Sequence, residues 1–122
     1  MEKLIEVLRK RANEFLKVAE TDFKEGRYEL CAFHAEQSLQ LSLKAKILEF
    51  GIEFPKIHSV KELLTILSKL SKSKSFKELA KKEEIKKLDE SYLSSRYFPV
   101  SISKKEAYQL LKFVKKVRKL IK

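Results

Sequence analysis

Apolar residues recur at three- and four-residue spacing along almost the whole chain, which predicts helices throughout. Leu4, Leu8, Ala12, Phe15, Leu16, Ala19 and Phe23 form one stripe with Lys, Arg and Glu opposite. That pattern predicts an amphipathic helix over residues 2–25, packed on one side. The next segment, Tyr28 to Phe50, is apolar on two sides. On a wheel of roughly 100° per residue, Tyr28, Ala32, Ala35, Leu39, Leu43 and Phe50 align on one side. Leu30, His34, Gln37, Leu41, Ala45 and Leu48 align nearly opposite. Only the flank of Glu29, Glu36, Gln40 and Lys44 reads as facing water. A helix apolar on two sides is covered on two sides, so this helix is central, with His34 and Gln37 set into its second stripe.

Turn chemistry divides the rest. Gly26 and Gly51 sit where helices should stop in a left-handed C-cap, and a turn as short as that at Gly26 makes the first two helices antiparallel neighbours. Ser59…Glu62, Ser75…Glu78 and Ser103…Glu106 each fit the capping-box spacing ahead of an apolar periodic run. They predict a short third helix to Leu70, a fourth from Ser75 to Ser94 and a fifth to Ile121. The linker Lys69–Ser75 reads as polar and mobile, and Ser95–Ile102 as a connection holding Arg96, Tyr97, Phe98 and Pro99. No stretch alternates as a strand would. The expected fold is all-α, an up-and-down helical bundle of four long helices plus one short helix, in a single domain over residues 1–122.

Composition narrows the classes. A single Cys31 excludes an internal disulfide and a cysteine zinc cage, and fits a reducing, cytoplasmic setting. No apolar run approaches the roughly 18 residues of a membrane span, and the N-terminal MEKLIEVLRKR has no signal-peptide core, so no membrane association is expected. The formal net charge of +11 favours phosphate polyanions or an acidic partner. The Lys and Glu enrichment with only two Gly is equally a thermophile-like composition of solvated helix faces.

Few residues suggest chemistry. Cys31 and His34 are helical neighbours, but two ligands do not make a zinc site; a buried thiol beside a helical His is the simpler reading. His34 is either a hydrogen-bonded interface histidine or an acid–base and phosphate-contacting group. His58 packs at the start of the third helix. Asp89 and Glu90 read as a solvated face, and no acids form a pair outside helical solvent faces. No phosphate-cradling Gly loop, HExxH or GxSxG is present; no metal or cofactor is expected. Arg96 either caps a helix C-terminus or, among Tyr92, Tyr97 and Phe98, binds phosphate while the rings offer stacking faces.

The run Ala32-Phe33-His34-Ala35-Glu36-Gln37-Ser38-Leu39-Gln40-Leu41, then Leu43-Lys44-Ala45, resembles the second-helix signature of HEPN domains. The turn Glu25-Gly26-Arg27-Tyr28 before it is similar to theirs, as is Pro55…His58-Ser59…Glu62-Leu63-Leu64. Tyr92…Arg96-Tyr97…Pro99 resembles the family's Tyr-x3-Arg-Tyr-Pro segment. The resemblance implies a bundle of four or five helices, a homodimer, and action with a minimal nucleotidyltransferase partner in a two-component, toxin–antitoxin-like system. Active members are metal-independent ribonucleases with Arg-x4–6-His at the dimer interface, where Arg steadies the phosphate and His assists 2′-hydroxyl attack.

Arg96 matches that Arg, but no His follows it at any spacing, and Val100 replaces the usual acid after the Pro. The resemblance therefore implies nucleotide or RNA-phosphate binding without intact ribonuclease catalysis. Arg96, Tyr97, His34, Tyr92 and Gln37 are the expected ligand-binding residues, and the second stripe of the central helix the expected dimer contact. Two alternatives stay open: an active ribonuclease toxin using Arg96, with His34 or another group replacing the missing His, and a non-catalytic helical protein-interaction module. For the latter, Gly26-Arg27-Tyr28…Ala35 resembles half a tetratricopeptide pair, but no period of about 34 residues repeats.

Overall fold

The structure, a computed structural model, describes the backbone of residues 2–97 and 101–122 and the side chains of residues 2–93 and 101–122. Among these residues six helices follow one another: α1 (Glu2–Lys24), α2 (Tyr28–Leu48), α3 (Val60–Ser71), α4 (Lys74–Ala80), α5 (Glu83–Tyr97) and α6 (Lys104–Leu120). The all-helical expectation holds. The count of four long helices and one short one does not.

The first turn is built by Gly26. Its φ of +78° is left-handed, and Gly26 N and Arg27 N donate to the carbonyls of Phe23 (3.2 Å) and Asp22 (2.8 Å). This double bond pattern is a Schellman cap. It folds α2 back along α1, so Ser38 Oγ reaches the Ala12 carbonyl at 2.7 Å. From there α2 runs through the middle of the protein. Leu39, Leu43 and Ile47 are fully buried with Leu63, Leu64 and Leu67 of α3, Ile85 and Leu88 of α5, and Leu110, Val114 and Val117 of α6. Ala45 and Leu48 of the second stripe bury instead against Leu8 of α1, with Ile5 and Leu41 at the margin. α1 therefore covers the far end of that stripe, while Leu30 at the near end stays half exposed. Leu4 and Phe50, placed in core stripes by periodicity, are exposed.

The fourth helix expected from the sequence is two helices. α4 ends at Ala80, and Lys81 and Lys82 close it with short bonds to the Glu78 and Leu79 carbonyls (both 3.1 Å). The apolar positions explain the break. Phe76, Leu79 and Ala80 fall on one side of a continuous wheel, and Ile85, Leu88 and Tyr92 fall roughly 150° away. One straight helix cannot bury both sets against a single neighbour. Ser75 is not a cap either: it lies inside α4, whose N-cap is Ser73, and the two hydroxyls bond each other at 2.7 Å.

The segment Lys69–Ser75 is not a loose linker. Lys72 takes a left-handed φ of 56° where glycine is usual. Ser68 and Ser73 lock the turn by Ser73 N to Ser68 O (3.2 Å) and Ser68 Oγ to Ser73 O (2.8 Å). The Ser103…Glu106 box forms in both directions, each bond 3.1 Å. At the downstream end of α5 the helix runs on through Ser95, Arg96 and Tyr97, so Arg96 and Tyr97 belong to a helix rather than to a connection. The expected Phe98 and Pro99 of that connection lie outside the described residues. No described helix is long and apolar enough to cross a membrane.

Candidate functional site

The cap that turns α1 into α2 also builds the most chemically specific group in the protein. Asp22 is the C3 residue of that cap, and its side chain is buried. Arg27, just past the turn, donates from Nε to Asp22 Oδ1 at 3.0 Å, with its guanidinium also on Glu25. From α2, His34 Nδ1 donates to Asp22 Oδ2 at 2.6 Å. A carboxylate accepts only, so this bond puts the proton on Nδ1 and leaves Nε2 as the nitrogen that can accept one or contact a ligand. The His34 side chain keeps 20 % of its surface exposed. A buried acid, a paired Arg and a His with one open nitrogen form an oriented acid–base group. Asp22 was missed in the sequence although it lies three residues after Ala19 on the buried stripe of α1, where an acid is out of place.

His34 is also one member of a row of rings. Phe15 stacks on it at 5.9 Å, and Phe33 meets it edge-on at 5.4 Å. Phe33 stacks on Tyr92 of α5 at 6.3 Å, and Tyr92 stacks on His58 at 5.7 Å. The row crosses from α1 over α2 to α5 and the start of α3. It brings together His34 and Tyr92, two of the expected ligand residues. Arg96 falls one turn beyond Tyr92 in α5; its side chain and that of Tyr97 lie outside the described residues.

Gln37 belongs to a different group. Its Nε2 donates to Glu36 Oε1 at 2.7 Å, and Gln40 Nε2 donates to Glu36 Oε2 at 2.8 Å. Gln40 also links to His58 through that residue's carbonyl (3.1 Å) and Nδ1 (3.3 Å). The flank read as solvent-facing is thus largely buried: Glu36 is 0 %, Gln40 4 % and Lys44 4 % exposed. Only Glu29 behaves as expected. The connection 49–59 closes over this flank, where Phe54 lies 5.4 Å from Lys44 Nζ. Burial drives the Glu36 pKa up to about 7 against the lowering effect of its Gln37 and Gln40 bonds, with Asp89 adding to the rise and Lys44 opposing it. Burial likewise lowers the Lys44 pKa, which Glu36 partly restores.

Asp89 is no solvated residue. Its carboxylate accepts from Val60 N at 2.7 Å and Ser59 Oγ at 2.9 Å, and so caps α3 from α5. Cys31 is fully buried, and burial raises its thiol pKa to about 11, an inert packing thiol. Among the described residues no three His, Cys, Asp or Glu side chains gather as metal ligands would.

The arrangement is that of a helical bundle whose first two helices, folded by a Gly-Arg turn, hold a histidine beside an aromatic row and a buried Glu–Gln network. The HEPN domain family model matches residues 5–122, and the chain belongs to that family. Comparison with curated proteins and with solved structures gave no match.

Proposed function

We propose that this HEPN domain binds nucleotide or RNA phosphate as a homodimer and works with a minimal nucleotidyltransferase partner in a toxin–antitoxin-like pair, without intact ribonuclease catalysis. The observation that carries the reading is His34, fixed by buried Asp22 and set in a ring row that includes Tyr92, one helical turn before Arg96 in α5. A base can lie against exposed ring surface while a guanidinium and an imidazole meet the phosphate. Tyr97 and Gln37 complete the ligand set. The half-exposed part of the second stripe, Leu30 to Gln37, is the dimer contact, and the net charge of +11 draws the polyanion in.

Fluorescence titration of a labelled single-stranded RNA against wild type and Arg96→Ala tests this. The expected result is saturable binding that Arg96→Ala weakens tenfold or more, with no RNA cleavage in EDTA. Equal or absent binding in both proteins contradicts it.

The His34–Asp22 pair also favours a second reading, a metal-independent ribonuclease. There His34 Nε2 takes the 2′-hydroxyl proton while Arg96 holds the phosphate. RNA cleavage in EDTA that vanishes in both Arg96→Ala and His34→Gln would put this reading in place of the first.

A further inference from the structure

At the other end of the α1–α2 pair, about 12–18 Å along α2 from His34 at 1.5 Å per residue, a pocket of about 310 Å³ opens between three helices. Arg9 and Asn13 of α1, Ser42 and Lys46 of α2, and Arg118 of α6 line it, with Lys122 at its edge. Four of these six side chains are cationic. The nearby carboxylate is Glu49, and it is already shared: Arg9 pairs with it, and Lys46 reaches it at 3.4 Å. No described carboxylate pairs with Arg118 or Lys122.

Arg118 is the informative member. It is half-buried, and burial lowers its pKa. An arginine taken out of water normally sits against a carboxylate. This one is held by neutral groups, with Nε donating to Ser42 Oγ at 2.9 Å and a terminal nitrogen donating to Asn13 Oδ1. Ser42 in turn donates to the Ser38 carbonyl at 2.8 Å, which fixes the hydroxyl as an acceptor. Two of the five guanidinium N–H groups are thus used for aiming, and the others are available to the pocket. An aimed guanidinium without a counter-charge, among three further cations, lacks an anion.

We propose that this pocket is a binding site for a compact, multiply charged phosphate group of the pyrophosphate type, carried by a soluble small molecule. The volume lies at the lower end of small-ligand sites. A guanidinium held in a fixed plane suits bidentate phosphate contact. Four cations line one half-open pocket, whereas an RNA backbone offers singly charged phosphates strung along a track. The site is separate from the His34–Arg96 region and does not depend on that region's function.

Calorimetric titration of the full chain with inorganic pyrophosphate, against chloride and sulfate at matched ionic strength, tests it. Wild type and Arg96→Ala should bind pyrophosphate alike, and sulfate at least tenfold more weakly. Arg118→Gln should weaken binding tenfold or more. Because Arg118→Gln could also loosen the fold, the double variant Lys46→Gln/Lys122→Gln is measured too, and it should show a similar loss with an unchanged melting temperature. Saturating single-stranded RNA should leave pyrophosphate binding unchanged. No binding by wild type, equal binding by wild type and the Lys46→Gln/Lys122→Gln variant, displacement by RNA, or loss in Arg96→Ala would each overturn the proposal.

Discussion

Glu36 carries a carboxyl that burial holds near a pKa of 7, well above its ordinary value near 4.3. Between those values the folded chain keeps a proton that the unfolded chain has released. Stability therefore falls as pH rises from about 4.5 to 7 and levels off above that. Lys44 opposes the effect and Asp89 adds to it, so the dependence belongs to the network rather than to Glu36 alone. Glu36→Gln has no charge to bury and should flatten the curve. In urea unfolding at pH 5 and pH 8, the stability of the variant relative to wild type should improve by about 2 kcal/mol toward the higher pH. The same pH dependence in both proteins would show that Glu36 is not the titrating group.

At the scale of elements, α3 depends on a residue 29 positions downstream. Asp89 takes the Val60 N–H and the Ser59 hydroxyl, while Ser59 Oγ itself accepts from Glu62 N at 3.2 Å. Asp89→Ala should lower unfolding stability by about 1–2 kcal/mol, the range for a lost helix cap. Asp89→Asn, which keeps one acceptor oxygen, should recover part of it. Urea denaturation followed by circular dichroism measures both; an Asp89→Ala protein as stable as wild type contradicts the capping role.

The same element shows where sequence reading stops. Local signals were legible: Gly26 marked the turn, Ser103 and Glu106 the start of α6, and the two-sided pattern of residues 28–50 the central helix. Asp89 was not, because capping a helix across 29 residues leaves no spacing to read. Glu36, Gln40 and Lys44 were misjudged for a related reason. Polar side chains satisfied by one another can be buried at a desolvation cost, and a hydropathy pattern does not register partners. His34 was legible as an unusual residue; the acid that orients it was not. The break between α4 and α5 did leave a trace, the phase slip between Leu79 and Ile85, which matching capping boxes overrode.

Across the whole molecule, two groups of cations line separate pockets among the described residues. Lys87 of α5 and Lys112, Lys115, Lys116 and Lys119 of α6 line a groove of about 910 Å³ floored by Leu110 and Phe113. Some of these are offset, as in Lys115 with Glu20 at 3.4 Å and Lys87 with Glu106 at 3.7 Å. Arg9, Lys46, Arg118 and Lys122 form a second group at the α1–α2–α6 junction. Neither group contains His34, whose partners are the Asp22 carboxylate and the ring row. On the proposed function, local geometry around His34 recognises the RNA and long-range charge serves attraction. The chain has two histidines, so NMR of ¹³C-labelled histidine rings during titration with a short single-stranded RNA reads this region directly. A saturable shift of the His34 resonances is expected in wild type, and a weakened one in Asp22→Asn and Arg96→Ala. RNA binding that saturates while the His34 resonances stay in place would contradict it.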